Sequence, residues 1–192
     1  MTEKTTRPTH LQVSSHFLHD ALDYKARYRH CALNGDAPGF MHLKSGRCKC
    51  FVDLRLGLEA ILKSLAAYHV LAGYSGEELV KKVESYRHHL IKPWAAISDH
   101  LPKELVEQGN PFVEQLTELP VSLRYRFDAW DFEGNREALY GETIGSDVWM
   151  NSVYAFLDTL VDAHNEQLGK HNRIVKLSDL RDEMMEPEYR RY

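Results

Sequence analysis

The stretch DLRLGLEAILKSLAAYHVL, Asp53 to Leu71, constrains the fold more than any other part of the chain. After Asp53 it holds three charged side chains, Arg55, Glu59 and Lys63. They follow at steps of four, which lines them up on one narrow strip of a helix. The element is predicted over about Arg47–Ala72, and its apolar and small residues cover roughly two thirds of the helical wheel, wider than a surface-helix stripe. A helix of this kind must be surrounded by others. Gly57, Ala60, Ser64 and Ala67 form a small-residue side where a neighbour can approach closely. Two readings of the charged strip stay open. It is an i,i+4 ion pair on a wet outlet, or it lines a groove between helices.

The flanking segments carry the same period. From Leu11 to Leu33, Val13, Phe17, Leu18, Ala21, Leu22, Tyr24, Tyr28 and Leu33 gather on one side, with His16, His19, Asp20, Asp23, Arg27 and His30 opposite. LNGDAPG then punctuates the chain. In GYSGEELVKKVESYRHHLIK, Ser75 and Glu78 have capping-box spacing ahead of Leu79, Val83, Tyr86 and Leu90. Pro93 should end or kink that helix. One or two short helices are predicted from Trp94 to Val106, interrupted by Pro102. A further short helix, NPFVEQLTEL, has Pro111 near its first turn. A connection of about 26 residues, Pro120 to Gly145, is long for a compact domain and reads as functional or as folding over something. Ser146 is the expected cap of the last strong helix. Val148, Trp149, Val153, Phe156, Leu157, Leu160 and Val161 make its buried side, and Asp147, Asn151, Asp158 and Asp162 its wet side. The expectation is one all-α domain over residues 1–192, an antiparallel helical bundle of four to six helices. Its core spans about residues 11–168, with a helical tail at 176–192.

With 192 residues, 43% hydrophobic and 27% charged, the chain is an ordinary globular one, and its net charge of −4 gives no global basic field. The polar N-terminus, an odd count of three cysteines (Cys31, Cys48, Cys50) and no membrane-length apolar run imply a cytoplasmic protein with reduced thiols. RCKC lacks the second close cysteine pair of most zinc sites, so these are read as free thiols near a helix start.

Candidate chemistry is scattered. His16, His19 and Asp23 lie on adjacent turns of the first helix and suit a transition metal if a second helix supplies ligands; the alternative is a solvated face. His164 falls on the apolar side of the last helix, and both it and His69 read as core histidines with hydrogen-bond partners. KSGRCK, Lys44 to Lys49, is a small basic turn before a helix N-terminus where a phosphate would fit. LRYRFDAW interleaves Arg124, Tyr125, Arg126, Phe127 and Trp130, which suits a phosphate with a stacked base or a loop packed over the bundle. Nucleophile-elbow, phosphate-loop and dinucleotide motifs are absent from the sequence.

The order FVDLRLGLEAILKSLAAYH, ESYRHHLIKPW, LRYRFD and a long last helix resembles the HEPN (higher eukaryotes and prokaryotes nucleotide-binding) superfamily over roughly residues 11–168. The matching positions are Glu59 and Lys63, His88 or His89 with Leu90, and Arg124 with Tyr125. The resemblance implies a compact bundle that forms a homodimer, in bacterial defence or toxin–antitoxin systems. It also implies binding of RNA or a nucleotide, a cognate protein partner and no cofactor. Many members are metal-independent ribonucleases with an arginine and a histidine four to six residues apart. Here no arginine has a histidine at that spacing. The first expectation is therefore an RNA- or nucleotide-associated binding module using Glu59, Lys63, Arg124 and Tyr125. A ribonuclease with a non-standard set, His88 or His89 with Arg87 or Arg124, comes second, and a metal-binding bundle at His16, His19 and Asp23 third.

Overall fold

Apolar residues at steps of three and four dictate helices, and helices are what the chain forms. A computed structural model describes residues 7–30, 43–119 and 135–172. The α-helices are α1 (His10–Tyr28), α2 (Leu43–His69), α3 (Gly76–Glu84), α4 (Ile91–Ile97), α5 (Lys103–Glu118), α6 (Asn135–Glu142) and α7 (Asp147–Asn172), with a 3-10 turn at Ser98–His100. No strand occurs among the described residues. The three short helices α3, α4 and α6 take the count above the expected six. No helix among the described residues is long and apolar enough to cross a membrane.

The side-chain contacts fix the directions. Ser14 meets Ser64 and Arg27 meets Asp53, so α1 and α2 are antiparallel. Trp149 Nε1 donates to Gln115 Oε1 at 2.7 Å while Phe112 packs on Phe156, so α5 and α7 are antiparallel too. Arg47 with Asp147 and Ser64 with His164 set α2 and α7 parallel. The four long helices thus alternate up, down, up, down. The small-residue side of α2 performs as expected. A Cβ on Gly57 would lie 3.0 Å from Leu157 Cδ2 and 3.3 Å from Tyr24 Cβ. Phe51, Leu54, Leu58, Ile61, Leu62 and Leu65 fill the interior around it, each worth roughly 1.5–3 kcal/mol on full burial.

Several local expectations are corrected. Helix α1 stops at Tyr28 rather than Leu33 and passes into a π turn at Arg29–His30; residues 31–42 lie outside the described set. Its N-terminus holds a capping box that T-x-x-Q spelled out: Thr9 Oγ1 accepts from the Gln12 N–H at 3.3 Å, and Gln12 Oε1 accepts from the Thr9 N–H at 2.9 Å. The Ser75 box does not form, because the extended Ser75 backbone instead bridges Thr9 and the Gly76 N–H donates to Pro8 O. Helix α2 runs from Leu43 to His69, not from Arg47 to Ala72. Pro93 begins a helix rather than ending one, since it sits in the first turn of α4, where its missing N–H costs nothing. Pro111 lies in the middle of α5: the buried face of Leu105, Gly109, Val113 and Leu116 outweighs one lost ladder bond. Helix α6 shortens the expected long connection. Ser146 does cap α7, accepting from the Trp149 N–H at 3.3 Å. Val148, expected on the buried side, is 78% exposed, because the first turn of α7 points it away from α5 and α2.

Candidate functional site

The strip on α2 is not wet. Arg55 and Glu59 are each 5% exposed, and the Lys63 side chain is also largely covered. What covers them is the turn between α3 and α4 and the C-terminal end of α5. Arg55 Nε donates to the Leu116 carbonyl at 3.2 Å, and Nη2 donates to the His88 carbonyl at 3.1 Å. Leu116 is one of the last residues of α5, whose final carbonyls have no partner inside their own helix. That helix has no basic residue in its last turn, so Arg55 supplies the cation that its dipole favours. Burial pulls the Arg55 pKa down, with Glu59 opposing.

Glu59 is the hub of the strip. Lys63 Nζ donates to Oε1 at 2.7 Å, His88 Nδ1 lies 3.2 Å from Oε2, and Arg55 Nη1 is 3.9 Å from the same oxygen. Lys63 Nζ also stands 5.6 Å above the centre of the Phe17 ring of α1. Two cations on one carboxylate leave a local positive excess in a chain whose net charge is negative. The turn above adds Arg87, His88 and His89, all exposed. Arg87 has φ of +46°, the left-handed region that non-glycine residues seldom occupy. Its own backbone thereby reverses the chain and presents His88 over Glu59.

Of the residues expected from sequence, Glu59, Lys63 and His88 come together, and Arg87 is the exposed neighbour of His88 in the turn. His89, although in the same turn, is not the histidine that meets Glu59. Arg124 and Tyr125, with the rest of LRYRFDAW, lie outside the described residues, as does Cys31. Compared with known proteins, the chain matches no family model, no curated protein and no solved structure. Arg55 was visible as part of the strip, but its role was not, because the carbonyls it serves belong to residues 33 and 61 positions away.

The other candidates resolve differently. His16, His19 and Asp23 are exposed on α1, and no group of three metal-ligating side chains occurs among the described residues. The basic turn KSGRCK lies inside α2, and its Arg47 is spent on Asp147 Oδ1 at 2.6 Å and the Ile144 carbonyl at 2.7 Å. Cys48 and Cys50 are buried and form no disulfide. His164 is 1% exposed, and its Nε2 lies 3.0 Å from Ser14 Oγ and 2.9 Å from Ser64 Oγ. Each serine hydroxyl donates to the other's backbone carbonyl, at 2.9 and 2.6 Å, so Nε2–H is the donor to both. His164 is the core histidine that the sequence predicts, joining α1, α2 and α7.

Proposed function

We propose that the chain is a divergent HEPN-like module that binds RNA or a nucleotide through its phosphates, in a defence or toxin–antitoxin setting and as a homodimer with a cognate protein partner. The observation that carries this reading is the convergence of the Arg55–Glu59–Lys63 strip with the exposed Arg87–His89 turn. An excess of cations beside solvent, backed by a positively charged buried strip, suits a phosphate ester. Arg124 and Tyr125 belong to the proposed ligand set on the strength of the resemblance. Helix α5 ends at Glu118, with its Leu116 carbonyl held by Arg55 of the strip.

The test is fluorescence anisotropy with a labelled ten-nucleotide single-stranded RNA and with ATP. Arg87→Ala and Arg124→Ala should each weaken binding about fivefold or more, the loss expected for one charge-assisted contact, with thermal stability kept. Affinity unchanged in both variants would rule the turn out as the binding face. Native mass spectrometry of the untreated protein then reads the homodimer and any co-purified nucleotide in one experiment.

A further inference from the structure

The two oxygens of the Glu59 carboxylate are held unequally. Oε1 takes the largely covered Lys63 ammonium at 2.7 Å, a short charge-assisted bond inside the bundle. Oε2 faces two donors and satisfies one of them. It lies 3.2 Å from His88 Nδ1, on a side chain that is 75% exposed, so this contact sits at the boundary with solvent, where such pairs contribute little. It also lies 3.9 Å from Arg55 Nη1, beyond hydrogen-bond reach. That nitrogen is buried and has no hydrogen-bond partner, although the other two nitrogens of the same guanidinium are bonded to the Leu116 and His88 carbonyls. A buried guanidinium nitrogen without an acceptor is costly. Oε2 therefore has a second partner waiting on its buried side. The His88 carbonyl is fixed by Arg55, so the His88 ring can leave Glu59 by rotation of its side chain while the turn keeps its place.

We propose that Glu59 is a built-in competitor for the phosphate of the ligand: in the free chain its Oε2 holds the His88 ring, and a phosphate binds by taking His88 from it. This rests on the reading of the chain as an RNA- or nucleotide-binding module. A carboxylate and a phosphate present the same kind of anionic oxygen to the same donor. In the exchange His88 Nδ1–H passes from Glu59 to a phosphate oxygen, with the exposed Arg87 beside it in the turn. Oε2, released, closes on Arg55 Nη1 and gives that nitrogen the acceptor it lacks. Lys63 stays on Oε1, so the buried carboxylate remains paired in both states. One hydrogen bond is lost at the solvent boundary and one is gained in the interior, and this near balance lets a weak anionic ligand throw the switch. Glu59 thus sets how strongly a phosphate must bind before the turn accepts it.

The experiment titrates the full chain with the ten-nucleotide single-stranded RNA and with ATP. Glu59→Gln leaves a neutral amide that competes less well for His88, and it should bind both ligands about threefold to tenfold more tightly than the wild type. Glu84→Gln makes the same change of charge on an exposed position of α3 and should stay within about twofold. In the wild type, saturating RNA should move the His88 ring nitrogen signals in long-range nitrogen–proton NMR and leave those of the buried His164 in place. This second measurement stands even if Glu59→Gln does not fold. Affinity in Glu59→Gln equal to or weaker than the wild type would overturn the competitor while the binding reading stands. An equal gain in both glutamate variants would trace the effect to overall charge and overturn it as well. His88 signals unmoved by bound RNA would show that the ring never leaves Glu59. Ligand bound by Glu59→Gln alone would be the strongest form of the expected result, and ligand bound by neither protein would sink this proposal and the binding reading together.

Discussion

His164 shows how far a single residue can be read before its surroundings are known. Its place on the apolar side of α7 made it a core histidine with an unknown partner. Ser14 and Ser64 were the partners, and neither was legible as such, because their burial depends on the register of α1 against α2. The assembled site has a consequence in solution. Burial pushes the His164 pKa down to about 4, the nearby Gln167 amide opposing in part and His69 adding to the depression. The folded state thus favours the neutral ring, while the unfolded chain takes up a proton near pH 6.5. Stability is complete above pH 6.5 and is lost as the pH falls towards about 4, by about 3 kcal/mol from this group. His69, also depressed by burial and by His100, adds to the loss in the same direction. Urea titrations at pH 7.5, 5.5 and 4 should show this slope in the wild type. In His164→Gln, which keeps a donor for the serines without titrating, it should be visibly reduced. Parallel pH profiles for the two proteins would remove His164 as the cause.

At the scale of the element, three helical glycines separate local propensity from packing. Alanine is favoured over glycine in a helix by about 0.8–1.0 kcal/mol. Gly169 on α7 is exposed, and a Cβ there would meet nothing within 4 Å. Gly169→Ala should therefore stabilise by up to about 1 kcal/mol. A Cβ on Gly109 of α5 would lie 2.5 Å from Phe156 Cζ and 2.6 Å from Trp94 Cη2, both rigid aromatic rings in the core. Gly109→Ala should destabilise by about 1–3 kcal/mol despite the better propensity. Gly57→Ala falls between, since the Leu157 methyl at 3.0 Å has some freedom to move. Thermal melts of the three variants check the order, and a Gly109→Ala protein as stable as the wild type would show that α4, α5 and α7 are packed more loosely than these distances indicate. The same contrast explains which element boundaries the sequence carried. The T-x-x-Q box and the Ser146 cap are local and were readable in principle; the unformed Ser75 box and the unbroken helix through Pro111 are decided by other parts of the chain. The charged strip sits between these cases. Its spacing was plain from four-residue steps, but its burial follows from α5 and the α3–α4 turn folding over it, so a reading as wet outlet or groove could not be decided from α2 alone.

For the molecule as a whole, charge limits how nucleic acid can be bound. A net charge of −4 repels a long polyanion, so any binding must be confined to a local cationic face. The proposed face offers Arg87, Lys63 and, by resemblance, Arg124 as its formal cations. Each phosphate neutralised on a single strand contributes about −0.7 to the slope of log K against log salt. Three such contacts set that slope at about −2, shallow beside a general nucleic-acid coat protein. Lengthening the RNA beyond the site should add little affinity, because the added phosphates face an overall negative surface. Anisotropy titrations of a ten-nucleotide and a thirty-nucleotide RNA over a range of potassium chloride would measure both quantities. A slope steeper than about −4, or affinity that keeps rising with length, would require a cationic surface far wider than the α3–α4 turn. The interaction would then belong to a different face of the bundle or to one composed across two copies.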